Sequence, residues 1–249
     1  MRQVFYPGEL TEAIAITGGD AHHLAHVMRA QIGDVITVVD AAGQAAEMAV
    51  TALTRDAVHL RMQRVLPAET EGREVVLVQA LLKGEKMDFV VQKAAELGAV
   101  CVCPIVTEHV VVRYDAKKAA AKAARWQKIA DEAAKQCGRR TLMRVAPVVS
   151  LTELLRDPAY IGAADTATVF CYEQQEERQS MRTVLGGTEA RRVTLIVGAE
   201  GGFSPAEAAA VTAAGGQSVS LGHRILRAET ASLTALAVTQ YELGNLGKC

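Results

Sequence analysis

Residues 193–207 read VTLIVGAEGGFSPAE. The apolar run 193–197 has the composition of a strand covered on both faces. It leads into Gly198, Gly201 and Gly202, after which a helix opens at Ser204. Ser204, Pro205 and Glu207 supply an N-cap, a proline at the first helical position and the distal half of a capping box. Strand, glycine turn and helix in this order are the building unit of an α/β domain. Glycines at such a turn let the backbone approach a ligand closely, and the N–H groups opening a helix can receive an anion. The spacing is neither GxGxxG nor GxxxxGK[ST], so neither usual nucleotide fingerprint applies. On pattern alone, a tight structural turn and a ligand loop are equal readings.

The pattern extends in both directions. Downstream, SVSLGHRILRAETASLTALAV (218–238) reads as a short strand, a glycine turn carrying Arg224 and Arg227, and a helix. Ala228, Ala231, Leu233, Ala235, Leu236 and Val238 make that helix apolar around much of its girth, which predicts burial or a subunit interface. Two guanidiniums three residues apart beside a turn suit contact with an anion or a base; the bland alternative is a pair capping the core with Glu229 as partner. Upstream, EVVLVQALL (74–82) reads as a buried strand and KMDFVVQKAAELG (86–98) as a helix ending at Gly98. VCVCPIV (100–106) is a further strand and Lys117–Gln136 a long helix. Strands at Ala167–Tyr172, Val193–Val197 and Ser218–Leu221 alternate with helices at Glu176–Leu185, Pro205–Ala214 and Ala228–Leu243. Near-continuous apolar strands alternating with helices predict a mainly parallel sheet.

Before the charged, glycine-containing stretch Pro67–Arg73 the pattern is different. Alternating runs at Val35–Asp40, Glu47–Leu53 and Val58–Val65 predict a small β-rich domain, with Asp20 as N-cap of one short helix, AHHLAHVMRA. His22 and His26 share a face of that helix, but HHLAH is not HExxH and no further ligand cluster accompanies it, so no metal is expected. Cys101 and Cys103 read as core residues of a strand, and five scattered cysteines make no disulfide framework.

Composition narrows the function classes. The chain has 249 residues, half of them apolar, 22% charged and only 4% aromatic, with a formal net charge of −1. It is neither a disordered polyelectrolyte nor long enough in any apolar run to form a membrane span. No secretory signal is evident at the start, so a cytoplasmic protein is expected. The near-zero charge hides an asymmetry. Residues 113–144 hold ten Lys/Arg against Asp115, Asp131 and Glu132, a segment of +7 in a remainder of −8. Such a block can attract a polyanion or be a solvated helix face.

Taken together, KGEKMDFVVQKAAELG (83–98), the basic helix leading to KQCGRR (135–140), LIVGAEGGF (195–203) and LGHRILRAETA (221–231) resemble one family: the bacterial 16S ribosomal RNA (uracil-N3) methyltransferases of the SPOUT superfamily. HHLAHVMRAQIGD (22–34) matches the family's N-terminal domain. The resemblance implies a PUA-like β-barrel over residues 1–72 and, over 73–249, an α/β methyltransferase domain knotted as a trefoil. It further implies a homodimer that binds S-adenosylmethionine and methylates N3 of a uridine near the 3′ end of 16S rRNA in the small ribosomal subunit. The implied cofactor residues are Cys171, Tyr172, Glu173, Val197, Gly198, Gly201, Gly202, Leu221, Gly222, Ile225 and Leu226, with adenine against Leu221, Ile225 and Leu226. Arg227 or Arg224 would stabilise the developing uracilate, and Glu200 would orient a ligand or accept a proton. RNA contacts would come from Arg2, His22, Arg29, Lys83, Lys86, Gln136, Arg139 and Arg140. Two details depart from the family: GAEGG stands for the commoner GPEGG, and Cys137 for a serine. The competing readings are a SPOUT enzyme acting on another RNA nucleotide and a non-catalytic ribosome-assembly factor; a dinucleotide dehydrogenase is disfavoured by the missing GxGxxG.

Overall fold

Alternation and continuity of apolar residues divide the chain as follows. The computed structural model describes residues 3–68, 72–172 and 179–246. They form two units, 1–71 together with 134–141, and 72–133 together with 142–249.

The smaller unit is a five-stranded sheet ordered β1-β3-β4-β5-β2, with β1 Gln3–Phe5, β2 Ala13–Thr17, β3 Val35–Val39, β4 Ala45–Leu53 and β5 Ala57–Val65. Only β1 and β3 pair in parallel. Every second side chain of β2 and of the first half of β5 faces inward, so Ile14, Ile16, Val58 and Leu60 meet Leu24, Ile36, Val38 and Met48 in one core. The single helix expected from Asp20 takes another form. Helix α1 begins at Gly18, capped by Thr17 without a side-chain bond, and gives way to a π-helical turn over His23–Val27. Asp20 lies in the first turn, where its carboxylate accepts from Lys135 Nζ at 2.7 Å. That long-range partner outcompetes the local cap. Arg29 follows with φ +50°, a left-handed conformation that closes the turn.

The larger unit is an eight-stranded parallel sheet. Its main path runs β11-β13-β10-β12-β6-β7-β8, with β9 also paired to β7. The strands are β6 Glu74–Ala80, β7 Cys101–Val106, β8 Arg144–Val145, β9 Val149–Ser150, β10 Thr166–Cys171, β11 Gln179–Ser180, β12 Arg192–Val197 and β13 Gln217–Ser220. Helices α2 (Lys86–Glu96), α3 (Ala116–Cys137), α4 (Leu151–Leu154), α5 (Met181–Leu185), α6 (Pro205–Ala213) and α7 (Ala228–Glu242) complete the chain, the last residues of α3 belonging to the smaller unit. Both neighbours of β6 and β12 are strands, and their side chains Val76, Leu77, Val78, Leu195 and Ile196 are almost fully buried. The expected helix at Glu176–Leu185 is shorter: Ser180 ends β11 and caps α5 by accepting from Thr183 N at 3.0 Å. Residues 176–178 of that expectation lie outside the described residues.

Helix α7 packs against β6, β12, α2 and α5. No described helix is long and apolar enough to cross a membrane. The packing behind the glycine turn centres on Phe203, fully buried and edge-on to Phe170 with centroids 6.3 Å apart. Phe203→Ala is expected to cost about 3–5 kcal/mol. Chemical denaturation checks this; a loss under roughly 1 kcal/mol would mean that the turn holds without its anchor.

Candidate active site

The sheet places the carboxyl ends of β10, β12 and β13 side by side, the edge where open α/β sheets bind ligands. Each strand ends in a different kind of turn. After β12 the chain folds tightly: Gly202 N donates to Ala199 O at 3.0 Å, and Gly202 sits at φ +64°. A Cβ on Gly198 would lie 3.2 Å from Gly202 Cα and 3.3 Å from Phe203, so only glycine fits without displacing the backbone. Ser204 then caps α6 as its sequence predicts, in a complete capping box with Glu207. After β13, the Ser220 hydroxyl accepts from Gly222 N and donates to Gly222 O, both at 3.2 Å, and Gly222 turns at φ +113°. The loop that follows presents Arg224, Ile225 and Arg227 to solvent, Ile225 with 92% of its surface exposed.

Between these turns lies a cavity of about 610 Å³. Its wall brings together Cys171, Tyr172, Val197, Gly198, Gly202, Leu221, Gly222, Ile225 and Leu226, all expected from the sequence as cofactor residues. Glu200, Arg224 and Arg227, expected to do chemistry, line the same cavity. Gly201 does not. It is exposed, and its carbonyl accepts from His109 Nδ1 at 2.8 Å. Glu173 lies outside the described residues, as does Arg2.

Lys86 and Glu200 also line this cavity, and Glu229 lies against Lys86. Glu200 Oε1 accepts from Lys86 Nζ at 3.2 Å and from Lys83 N at 3.4 Å. Lys86 Nζ also lies 3.2 Å from Glu229 Oε2, near enough to pair but without the alignment of a hydrogen bond. Lys86, expected at the RNA, is thus held in the cavity wall between two carboxylates. Glu229 pairs with this lysine and not with the arginines; among the described residues the guanidiniums of Arg224 and Arg227 have no ion pair. Burial raises the Glu200 carboxyl's pKa, but its own backbone N–H, Lys86 and Lys83 N–H together hold it below the usual carboxylate range. The hydrogen bond to Glu200, and then the neighbouring Glu229 carboxylate, lift Lys86 above the usual lysine range.

The two shifts set a pH window. A depressed carboxylate stabilises the fold above its unfolded pKa of about 4.3 and loses that contribution as pH falls through its folded value. A raised lysine contributes fully below its unfolded pKa of about 10.4 and loses it as pH rises further. Lys86→Met is therefore expected to lower the melting temperature most between these limits. The difference from the parent should close in acid; a difference that persisted at pH 3 would show that packing, not charge, is what Lys86 provides.

The other residues expected at RNA are placed as follows. Lys83 is exposed in the larger unit, and His22, Arg29 and Gln136 are exposed in the smaller one. The His22 and His26 rings lie against each other at a tilt, with centroids 4.6 Å apart. Arg139 reaches the Thr141 hydroxyl, while its carbonyl accepts from Gln3 Nε2 at 2.7 Å; Arg140 donates to the Pro67 carbonyl. Arg113, Lys117, Lys118 and Lys128 are exposed around and along α3. Sequence reasoning missed Ser220 and His223 in the cavity wall and His109 against Gly201. Ser220 and His223 adjoin residues that were singled out, whereas nothing local marks His109.

Comparison with known proteins adds to this geometry. The profile of an RNA methyltransferase domain matches residues 69–240, and that of an RNA methyltransferase PUA domain matches residues 16–63. The ribosomal RNA small subunit methyltransferase E of Bacillus subtilis (strain 168) is 34% identical over 238 residues, 94% of this chain and 92% of that protein. Its counterpart in Mycobacterium tuberculosis is 30% identical over 236 residues, 94% of this chain and 89% of that one. Among solved structures, ribosomal RNA small subunit methyltransferase E from Neisseria gonorrhoeae, bound to S-adenosyl methionine, superposes with a TM-score of 0.83 at 28% identity, over 96% of this chain and 97% of that chain. The chain belongs to the RNA methyltransferase family of these ribosomal RNA small subunit enzymes.

Proposed function

We propose that this protein transfers a methyl group from S-adenosylmethionine to N3 of a uridine near the 3′ end of 16S rRNA, within the small ribosomal subunit. One observation carries the reading: Glu200, Arg224 and Arg227 share one cavity with the glycine turns after β12 and β13. Its size lies within the range of small-molecule sites, roughly 300–1,000 Å³. Leu221, Leu226, Val197 and Ala231 offer an apolar surface for an adenine, and the turn backbones offer polar groups for its edge. The fit to S-adenosylmethionine is thus chemical as well as spatial. When bound, that cofactor supplies an electrophilic methyl on a sulfonium centre.

The chain's own residues must do the rest. The N3–H of uracil is a weak acid, so its proton must leave and the resulting charge on O2, N3 and O4 must be balanced. Arg227, exposed at the cavity rim and without an ion pair among the described residues, is suited to that charge, with Arg224 beside it. Glu200 is held ionised by Lys86, and a carboxylate of depressed pKa is a poor base near neutrality. Its role is to shape the wall and oppose cationic groups, while the N3 proton passes to solvent.

The RNA is held by Lys83 in the larger unit and by His22, Arg29, Gln136, Arg139 and Arg140 in the smaller one, with Arg2 as a further candidate. The charge of α3 adds long-range attraction and a steep salt dependence. The working form is a cytoplasmic homodimer needing no metal, with residues 1–72 as the RNA-gripping domain, 73–249 as the catalytic one, and the C-terminal segment threaded as a trefoil knot.

The test is methyl transfer from labelled S-adenosylmethionine to unmodified small subunits and to naked 16S rRNA, followed by nucleoside analysis. N3-methyluridine is the expected product. A 2′-O-methyl nucleoside or N1-methylguanosine would keep the enzyme and replace the target, and cofactor binding without transfer to either RNA would overturn the substrate. Absence of cofactor binding would point to a non-catalytic assembly factor.

A further inference from the structure

Gln79 is the one polar residue in VVLVQALL (75–82), and its side chain is fully buried. Every polar atom of its amide is used. Nε2 donates to the carbonyls of Ala80 at 3.0 Å and Gly198 at 3.3 Å, and Oε1 accepts from the Ser232 hydroxyl. The two carbonyls fix which way the amide lies, because a flipped amide would set its oxygen against two other oxygens. Ser232 is also fully buried, and its hydroxyl lies 2.8 Å from the Ala228 carbonyl as well.

These bonds join two parts of the cavity wall that are far apart in sequence. Gly198 follows β12 in the glycine turn. Ala228 and Ala231 lie in the first turn of α7, directly after Arg227. Gln79 itself lies opposite Val197 in the strand register and is not part of the cavity wall. A leucine or methionine would fill the same space without the cost of burying an amide. What the amide adds is a fixed position for the Gly198 carbonyl relative to the start of α7.

We infer that Gln79 and Ser232 are positioning residues for the methyl-transfer site, setting the separation of the glycine turn from the arginine loop and through it the affinity for S-adenosylmethionine. This rests on the reading above that the cavity holds that cofactor. Neither residue touches a ligand; both act through Gly198 and the first turn of α7.

The experiment compares Gln79→Met, Gln79→Glu, Ser232→Ala and the double variant Gln79→Met/Ser232→Ala as full-length proteins. Calorimetry gives the dissociation constant for S-adenosylmethionine, steady-state assays give kcat and the two KM values, and thermal unfolding gives Tm. A wall displaced by a fraction of an ångström should weaken cofactor binding about tenfold or more in Gln79→Met. The KM for S-adenosylmethionine should rise by a similar factor, with kcat and the KM for RNA changed less than about twofold. Gln79→Glu should be worse, since its carboxylate faces two carbonyl oxygens. Ser232→Ala should show a smaller loss that disappears in the Gln79→Met background, as for two parts of one device.

Unaltered cofactor affinity in Gln79→Met and Ser232→Ala overturns the inference. So do losses that follow Tm and spread equally to the KM for RNA and to kcat. If Gln79→Met fails to fold, Ser232→Ala alone decides by its cofactor affinity. A parent protein that binds no S-adenosylmethionine overturns the functional reading instead, so the two failures are distinguishable.

Discussion

Replacing Arg227 by alanine is expected to lower kcat by about 10²–10³-fold while leaving the fold and cofactor affinity in place. The site favours a clean result. Arg227 is the N-cap of α7, but its side chain makes no capping bond there; its carbonyl accepts from Ala231 N at 2.8 Å, a contact any residue can make. The guanidinium is exposed and has no ion pair among the described residues, so its removal orphans no buried group. The loss should therefore appear where negative charge develops, on a uracil losing its N3 proton. Arg227→Lys should recover only part of the rate, because an ammonium lacks the planar fork that can address two oxygens at once. Single-turnover rates with saturating RNA separate this from weaker RNA binding. If Arg227→Ala kept its single-turnover rate and lost only RNA affinity, the charge would belong to the phosphate backbone. Arg224 would then be the remaining candidate for the uracilate.

Local chemistry explains which features were legible in the sequence. The capping box at Ser204 and Glu207, the proline opening α6, the buried strands β6 and β12 and the glycine turns all depend on residues within a few positions of one another. The apolar character of β6, β10 and β12 implied parallel pairing because only strands covered on both faces need it. The features that escaped are long-range. The Lys86–Glu200 pair spans 114 residues, His109 and Gly201 are 92 apart, and Lys135 meets Asp20 across 115. None of these partners carries a local sign. The family resemblance put Lys86 among the RNA contacts, and only the fold reveals the two carboxylates around it. The helix start shows the same conflict in small: Asp20 has the chemistry of an N-cap, but a distant ammonium claims its carboxylate. The reading of 74–82 as a buried strand passed over Gln79, whose partners Gly198 and Ser232 are set by the fold alone.

Gly201→Val is expected to be the most damaging single change in the glycine turn, although Gly201 does not line the cavity. Its backbone is held against the loop after β7: a Cβ would lie 2.8 Å from His109 Cβ, a contact real side chains essentially never make. The neighbour it would strike is a Cβ close to the main chain, not the tip of a flexible side chain, so the 107–110 loop or the turn itself must move. The turn cannot move freely, because Phe203 anchors it from one side and Gly198 packs against Gly202 from the other. Such overpacking costs about 1–3 kcal/mol. A turn shifted by about 1 Å should weaken S-adenosylmethionine binding and turnover by roughly a hundredfold. Gly187→Ala is the control: a Cβ there meets nothing within 4 Å and its φ is not positive, so stability and binding should stay at the parent values. The steric origin is testable by relief. Gly201→Ala should be impaired alone and regain cofactor affinity when combined with His109→Gly, which removes the struck atom. If the double variant were no better than Gly201→Ala, the constraint at Gly201 would lie in its own backbone or in the lost His109–Gly201 hydrogen bond. If Gly201→Val bound S-adenosylmethionine as the parent does, the turn would be free to shift, and its close packing would not be what shapes the cavity.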